Sequence, residues 1–115
     1  FNCMLMCLFS TFAVSLKQLT PFLHAVTGIH LFGSSDELLK IGERVNNLVR
    51  RFNIREGLTQ KQDTLPKRFF EESLKEGPCK DRVVNLKRLM EEYYFVRGWD
   101  RDGMPSDEKI RELGI

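Results

Sequence analysis

The chain has 115 residues, of which 42% are hydrophobic and 30% charged, with a formal net charge of +2. These values exclude a disordered, collagen-like or multi-span membrane polypeptide, and so small a net charge gives no reason to expect a nucleic-acid partner. A single helical domain over residues 1–115 is the expectation from length, since a chain of this size hides well over half of its unfolded surface.

The opening run is "FNCMLMCLFSTFAVSL", and Lys17 is the one charged side chain in residues 1–35. A membrane-spanning helix needs about 20 apolar residues, and this run is shorter and carries Asn2, Ser10, Thr11 and Ser15. No basic lead precedes it, as an export signal would require. The run therefore predicts a buried core helix from Phe1 to about Gln18, apolar on every side. A terminus is usually polar and exposed, so the segment reads as one from the interior of a longer polypeptide. Cys3, Cys7 and Cys79 make an odd count without an export signal. That argues against a disulfide framework and for a reducing cytoplasmic setting.

Thr20-Pro21 predicts a fresh helix start, with Thr as N-cap and Pro in the first turn, and Gly28 is placed to stop that helix. Ser34 and Glu37 have capping-box spacing. The helix they open, over 35–54, carries Leu38, Ile41, Val45, Leu48, Val49 and Phe52 on one face, the expected buried face. Gly57 should end it. Residues 58–83 read as mostly irregular, punctuated by Pro66 and Gly77-Pro78. A short helical turn is expected after Pro66, with Leu65, Phe69, Phe70 and Leu74 holding the segment down. Asn85 should cap "LKRLMEEYYFVR", with Leu86, Leu89, Met90, Tyr93 and Val96 buried and Gly98 as its stop. "WDRDGMP" reads as a turn, and Ser106 should cap a last short helix. No stretch alternates as a strand does, so the fold class is all-α: a multihelical domain with long irregular loops. Loops this long are unusual for a free-standing domain.

Several side-chain groups invite a chemical reading. Cys3 and Cys7 would share a face if helical, and thiolates there could hold a metal or cluster; free Cys also packs as a small hydrophobe. Three cysteines cannot build a four-Cys cluster alone. His24 and His30 are six apart, which is no standard metal spacing, and read as structural histidines. Asp100, Asp102 and Gly103 resemble part of a calcium loop but lack its remaining acids, so a turn is expected. Arg44, Arg51 and Arg55 could face phosphate or pair with Glu43 and Glu56; a solvated, ion-paired face is the usual outcome. No nucleophile–base pair, glycine-rich phosphate loop or carboxylate pair is present, and no catalytic residue is assigned.

The runs "KIGERVNNLVRRFNIREG", "DTLPKRF" and "EYYFVRGWDRDGMPSDEKIRELGI", with the opening "NCMLMCLF", resemble the C-terminal end of the tungsten-containing aldehyde ferredoxin oxidoreductases. They occur in family order and spacing over nearly the whole chain. The resemblance implies that Cys7 matches the family's ligand of a [4Fe–4S] cluster, whose other cysteines belong to an upstream part. It implies that Asn2, Cys7 and Leu8 adjoin a tungsten or molybdenum bis-pterin. Asn2 stands where the family commonly has Asp, and its amide oxygen still accepts a hydrogen bond; Leu5 stands where Gly is frequent. By the same resemblance the complete enzyme would oxidise aldehydes to carboxylic acids and pass electrons to ferredoxin. Its upstream domains would be this chain's partners. The isolated chain would hold no cofactor, would be inactive and would self-associate through uncovered apolar surface. A cofactor-free helical protein-interaction module, using the apolar N-terminal third as its partner surface, is the alternative. A nucleic-acid role through the arginine helix ranks behind both.

Overall fold

The computed structural model describes residue 4 and residues 6–115. Its elements are α1 (Leu16–Thr27), α2 (Ser35–Arg55), α3 (Arg68–Glu71), α4 (Leu86–Arg97) and α5 (Asp107–Leu113), with short 3-10 turns at Leu8–Phe12, His30–Gly33 and Gln60–Gln62. Among the described residues there is no strand beyond two isolated bridges, Leu74 with Lys80 and Trp99 with Pro105. The fold class is all-α, as expected. The chain divides into two compact units, residues 1–49 with 113–115, and residues 50–112.

The first unit departs from expectation at its start. The long opening helix is not formed over the described residues. Leu8–Phe12 is a 3-10 turn instead, with Phe9 and Phe12 exposed and their rings stacked 6.1 Å apart. Ser10 fixes this turn, donating from both its N–H (3.1 Å) and its hydroxyl (2.6 Å) to the Cys7 carbonyl. Serine competes for backbone partners in this way, and here it wins over helix continuation.

Helix α1 begins at Ser15, not at Thr20. Gln18 Oε1 accepts the Ser15 N–H at 2.9 Å, the reaching-back half of a capping box that the apolar composition had masked. Pro21 therefore sits inside the helix, where it can donate nothing to the Lys17 carbonyl. The Thr20 hydroxyl supplies that hydrogen bond, donating to Lys17 O at 3.0 Å from a buried position. Gly28 ends α1 in the left-handed region, at φ 68°, with its N–H on the His24 carbonyl.

Helix α2 starts where Ser34 predicts. The Ser34 hydroxyl accepts the Glu37 N–H at 3.5 Å, and the Ser34 carbonyl accepts Leu38 N–H at 3.1 Å. Its buried face differs from expectation. Leu38 is buried, but Val45, Leu48, Val49 and Phe52 are exposed, while Asn47 and Arg50 are 0% and 8% exposed. Asn47 Nδ2 donates to the Glu43 carbonyl at 2.8 Å and to Glu43 Oε1 at 3.1 Å. Arg44 Nε donates to the carbonyl of buried Leu113 at 2.6 Å. Periodicity correctly grouped the apolar residues; it could not say that this chain covers the polar stripe instead.

In the second unit, Gly57 terminates α2 at φ 98° and Thr59 leads into the Gln60–Gln62 turn. Helix α3 is the short turn expected after Pro66. The irregular segment is held less than expected: Leu65, Phe69 and Leu74 are exposed, Phe70 is half-buried, and Val84 N–H donates to the Phe69 carbonyl at 2.9 Å. Asn85 caps α4 through Oδ1, which accepts Arg88 N–H at 3.3 Å, and Gly98 ends it at φ 66°. The buried side of α4 is rotated from expectation. Tyr94 is buried and Leu86 and Met90 are half-buried, whereas Leu89, Tyr93 and Val96 are exposed. Ser106 caps α5, its hydroxyl accepting Lys109 N–H at 3.2 Å.

Candidate functional site

Two places hold the groups that chemistry could use. The first is the Cys7 turn. Cys7 precedes the 3-10 turn in an extended conformation (φ −62°, ψ 128°), and its thiol is free and exposed. Cys7 is therefore not on a helix face as expected, and Cys3 lies outside the described residues. Asn2 and Leu5 also lie outside them. Leu8 follows with its side chain 61% exposed. Cys79 is free and exposed in the irregular loop. Among the described residues no three His, Cys, Asp or Glu side chains converge as a metal site. Cys7 thus offers one open thiol on a backbone pinned by Ser10. As a donor it suits one corner of an iron–sulfur cluster, which takes thiolates.

The second place is a polar clasp in the second unit. Arg50 Nε donates to the Gly103 carbonyl at 2.8 Å. Its Nη1 donates to Asp63 Oδ1 at 2.8 Å and its Nη2 to Asp63 Oδ2, a bidentate fork. Tyr94 donates its hydroxyl to the same Oδ2. The Trp99 ring lies 4.9 Å from the guanidinium carbon, and Trp99 packs on Tyr94 with ring centroids 5.8 Å apart. The Gly103 carbonyl and both Asp63 oxygens each accept, and Arg50 and Tyr94 donate.

Its electrostatics agree. The hydrogen bond from Arg50 holds the Asp63 carboxyl below its ordinary value, against the opposing cost of burial. Asp63 in turn raises Arg50. Burial, reinforced by the hydrogen bond to Asp63, pushes Tyr94 up to about 12. A phenol so shifted keeps its proton at neutral pH, and a carboxylate so shifted stays charged. The clasp is arranged to hold geometry rather than to exchange protons.

What it holds is the turn after α4. Asp100 Oδ1 accepts the N–H groups of Asp102 and Met104, each at 2.9 Å, so the Asp100 carboxylate closes a turn on its own backbone. Gly103 lies at φ 78° with its α-carbon against the clasp: a Cβ there would fall 2.4 Å from Arg50 Nη2 and 2.7 Å from the Tyr94 hydroxyl. Beside the clasp opens a groove of about 890 Å³, lined among others by Asp63, Met90, Tyr94, Trp99 and Lys87.

Arg50, Asp63 and Tyr94 carry no signature in the sequence that marks them as a group. They are 13 and 31 residues apart along the contacts they make, and no local motif joins them. One signal was present: each of the three later phrases that carry the family resemblance contains one side of the clasp. The histidine pair is likewise closer than its spacing suggested. His24 and His30 have ring centroids 5.1 Å apart, and His24 Nδ1 meets the Ile29 carbonyl at 3.1 Å. The arginines of α2 are in part accounted for by Arg44 on Leu113 and by Arg55 beside Glu56 at 3.4 Å. No helix among the described residues is long and apolar enough to cross a membrane.

Comparison with known proteins places these features in context. The model of the family described as aldehyde ferredoxin oxidoreductase, domains 2 and 3, matches residues 1–115. Tungsten-containing aldehyde ferredoxin oxidoreductases of Pyrococcus horikoshii, Pyrococcus abyssi and Thermococcus kodakarensis are 47%, 45% and 46% identical over 111 residues. Each alignment takes in 96% of this chain and 18% of the relative, so the chain spans under a fifth of the length of the curated proteins it matches.

Proposed function

The chain belongs to the aldehyde ferredoxin oxidoreductase family, and from that membership we propose that it is the C-terminal helical part of an enzyme that oxidises aldehydes to carboxylic acids. A tungsten or molybdenum bis-pterin would supply the oxidation there, with electrons leaving through a [4Fe–4S] cluster to ferredoxin.

Within that enzyme the residues of this chain bind and position. The Cys7 thiolate holds one iron of the cluster. Ser10 occupies the Cys7 carbonyl with two hydrogen bonds, which fixes the backbone that aims the sulfur. Leu8, exposed in this chain, covers the cofactor side of the turn and keeps water from it. Asn2 gives the pterin a neutral hydrogen-bonding amide. The remaining cluster ligands and the groups that meet the aldehyde come from upstream domains. Those domains also cover the exposed apolar side chains of Leu8, Phe9, Phe12, Leu48, Val49 and Phe52. The chain is one helical domain of a cytoplasmic enzyme. By itself it takes up no cofactor, is inactive and self-associates.

The observation that carries this reading is the family match along the whole chain, together with an open thiol at Cys7. The alternative is a cofactor-free interaction module, which the same exposed apolar residues would serve. The codons immediately upstream separate the two. An in-frame C-x2-C-x3-C segment supports the enzyme, and a start codon directly before Phe1 supports the module. Metal analysis of the purified 115-residue chain adds a second test. The proposal expects neither iron nor tungsten in stoichiometric amount, and finding either contradicts it.

A further inference from the structure

The two histidines of the chain are its only imidazoles, and the fold brings them together at the end of α1. Their ring centroids are 5.1 Å apart, with the ring planes tilted by 38°. Gly28 makes this approach feasible. Its left-handed φ of 68° turns the chain at the end of α1, so that six residues of sequence become one ring-to-ring contact.

The turn is fixed from several directions. The Gly28 N–H donates to the His24 carbonyl at 2.8 Å. The Ile29 N–H donates to the Thr27 hydroxyl at 3.2 Å, and that hydroxyl donates to the Leu23 carbonyl at 2.6 Å. The Phe32 N–H donates to the Ile29 carbonyl at 3.0 Å, closing the 3-10 turn that carries His30. Both imidazoles therefore sit on ordered backbone before any ligand arrives, which lowers the cost of binding one.

The tautomer of His24 is also set. A carbonyl oxygen can only accept, so His24 Nδ1 carries the proton that it donates to Ile29 O at 3.1 Å. This leaves the Nε2 lone pair as the ligating position. A ring nitrogen donated to a backbone carbonyl, with the other nitrogen left basic, is the arrangement that metal-bound histidines adopt.

The spacing suits a shared ion. A Zn–N bond is about 2.0–2.1 Å, so an ion bound by one nitrogen of each ring stands about 3.2 Å from each centroid, and a tetrahedral angle separates the centroids by about 5.2 Å. The observed value is 5.1 Å. His24 is half-buried and His30 exposed, so water can complete the coordination.

We propose that His24 and His30 chelate a late first-row divalent cation of the class imidazole favours, such as Zn2+, Ni2+ or Cu2+. The site is separate from Cys7 and stands whether or not the cluster assignment does.

The test uses the 115-residue chain with Cys3, Cys7 and Cys79 replaced by Ser, so that thiols do not compete. Zn2+ is titrated while the ring proton resonances are followed by NMR. With two histidines in the chain, each signal is assigned by the variant that lacks it. The expected result is one saturable site in which both rings respond together, with His24→Ala and His30→Ala each weakening Zn2+ binding at least about tenfold. His30 is exposed, so His30→Ala reports on binding even if His24→Ala disturbs α1. Independent responses of the two rings, or undiminished binding in His30→Ala, would overturn the proposal.

Discussion

The Arg50 clasp and the Leu8–Phe12 turn are opposites. In the clasp a charged fork, a carboxylate and a phenol are joined by hydrogen bonds beside an indole, with Arg50 and Tyr94 buried. In the turn a leucine and two phenylalanines stand in water. A chain that had to complete its own core would do the reverse, since apolar burial drives folding and buried charge must be compensated. The contrast teaches that polar contacts fix the shape of this polypeptide locally, while much of its apolar surface is exposed. Helix α2 shows both habits on one element, with Asn47 and Arg50 buried and Val49 and Phe52 open.

That contrast predicts a steep ranking of substitutions. Asp63→Ala should cost most, about 3–5 kcal/mol, because it leaves the Arg50 guanidinium buried without its partner. Denaturant unfolding would read this, and a loss below 1 kcal/mol would show that the clasp holds nothing. Gly103→Ala comes next at about 2–3 kcal/mol. The left-handed backbone and a Cβ lodged against the Tyr94 ring both oppose it. Tyr94→Phe should cost about 1 kcal/mol, the worth of one hydrogen bond. Phe12→Ser should change the stability of the 115-residue chain by less than about 0.5 kcal/mol, because Phe12 is already 87% exposed. A large loss from Phe12→Ser would reverse the contrast.

The clasp also sets a pH profile. Asp63 is held below its ordinary 3.8, so its contribution is present above that value and is lost as pH falls through the lower folded value. Tyr94 is raised from 10.0 to about 12, so its contribution is complete below pH 10 and is lost between pH 10 and about 12. Thermal unfolding across this range should show both losses in the parent chain. Tyr94→Phe should lack the alkaline component attributable to that phenol.

The parts of this fold that were legible in the sequence are those set by neighbours along the chain. Gly28, Ser34, Asn85, Gly98 and Ser106 each act where local capping chemistry places them. The start of α1 was missed because Gln18 caps Ser15 within a run that looked uniformly apolar, and because Thr20 repairs the gap that Pro21 leaves. The buried faces of α2 and α4 were misjudged for a different reason. Hydrophobic spacing identifies which side chains want cover, not which of them this chain covers. The clasp was invisible because Arg50 reaches a carbonyl 53 residues away and Asp63 waits for a tyrosine 31 residues on. Cys7 and Leu8 came from resemblance, and chain geometry adds that Cys7 is exposed and its carbonyl pinned.

Cys7 is proposed as an iron ligand within a longer polypeptide. Iron content and the low-temperature EPR signal of that whole polypeptide, compared between Cys7→Ser and Cys79→Ser, test it most directly. Cys7→Ser is expected to lose the signal and most of its iron, while Cys79→Ser keeps both. Full iron and an unchanged signal in Cys7→Ser would contradict it.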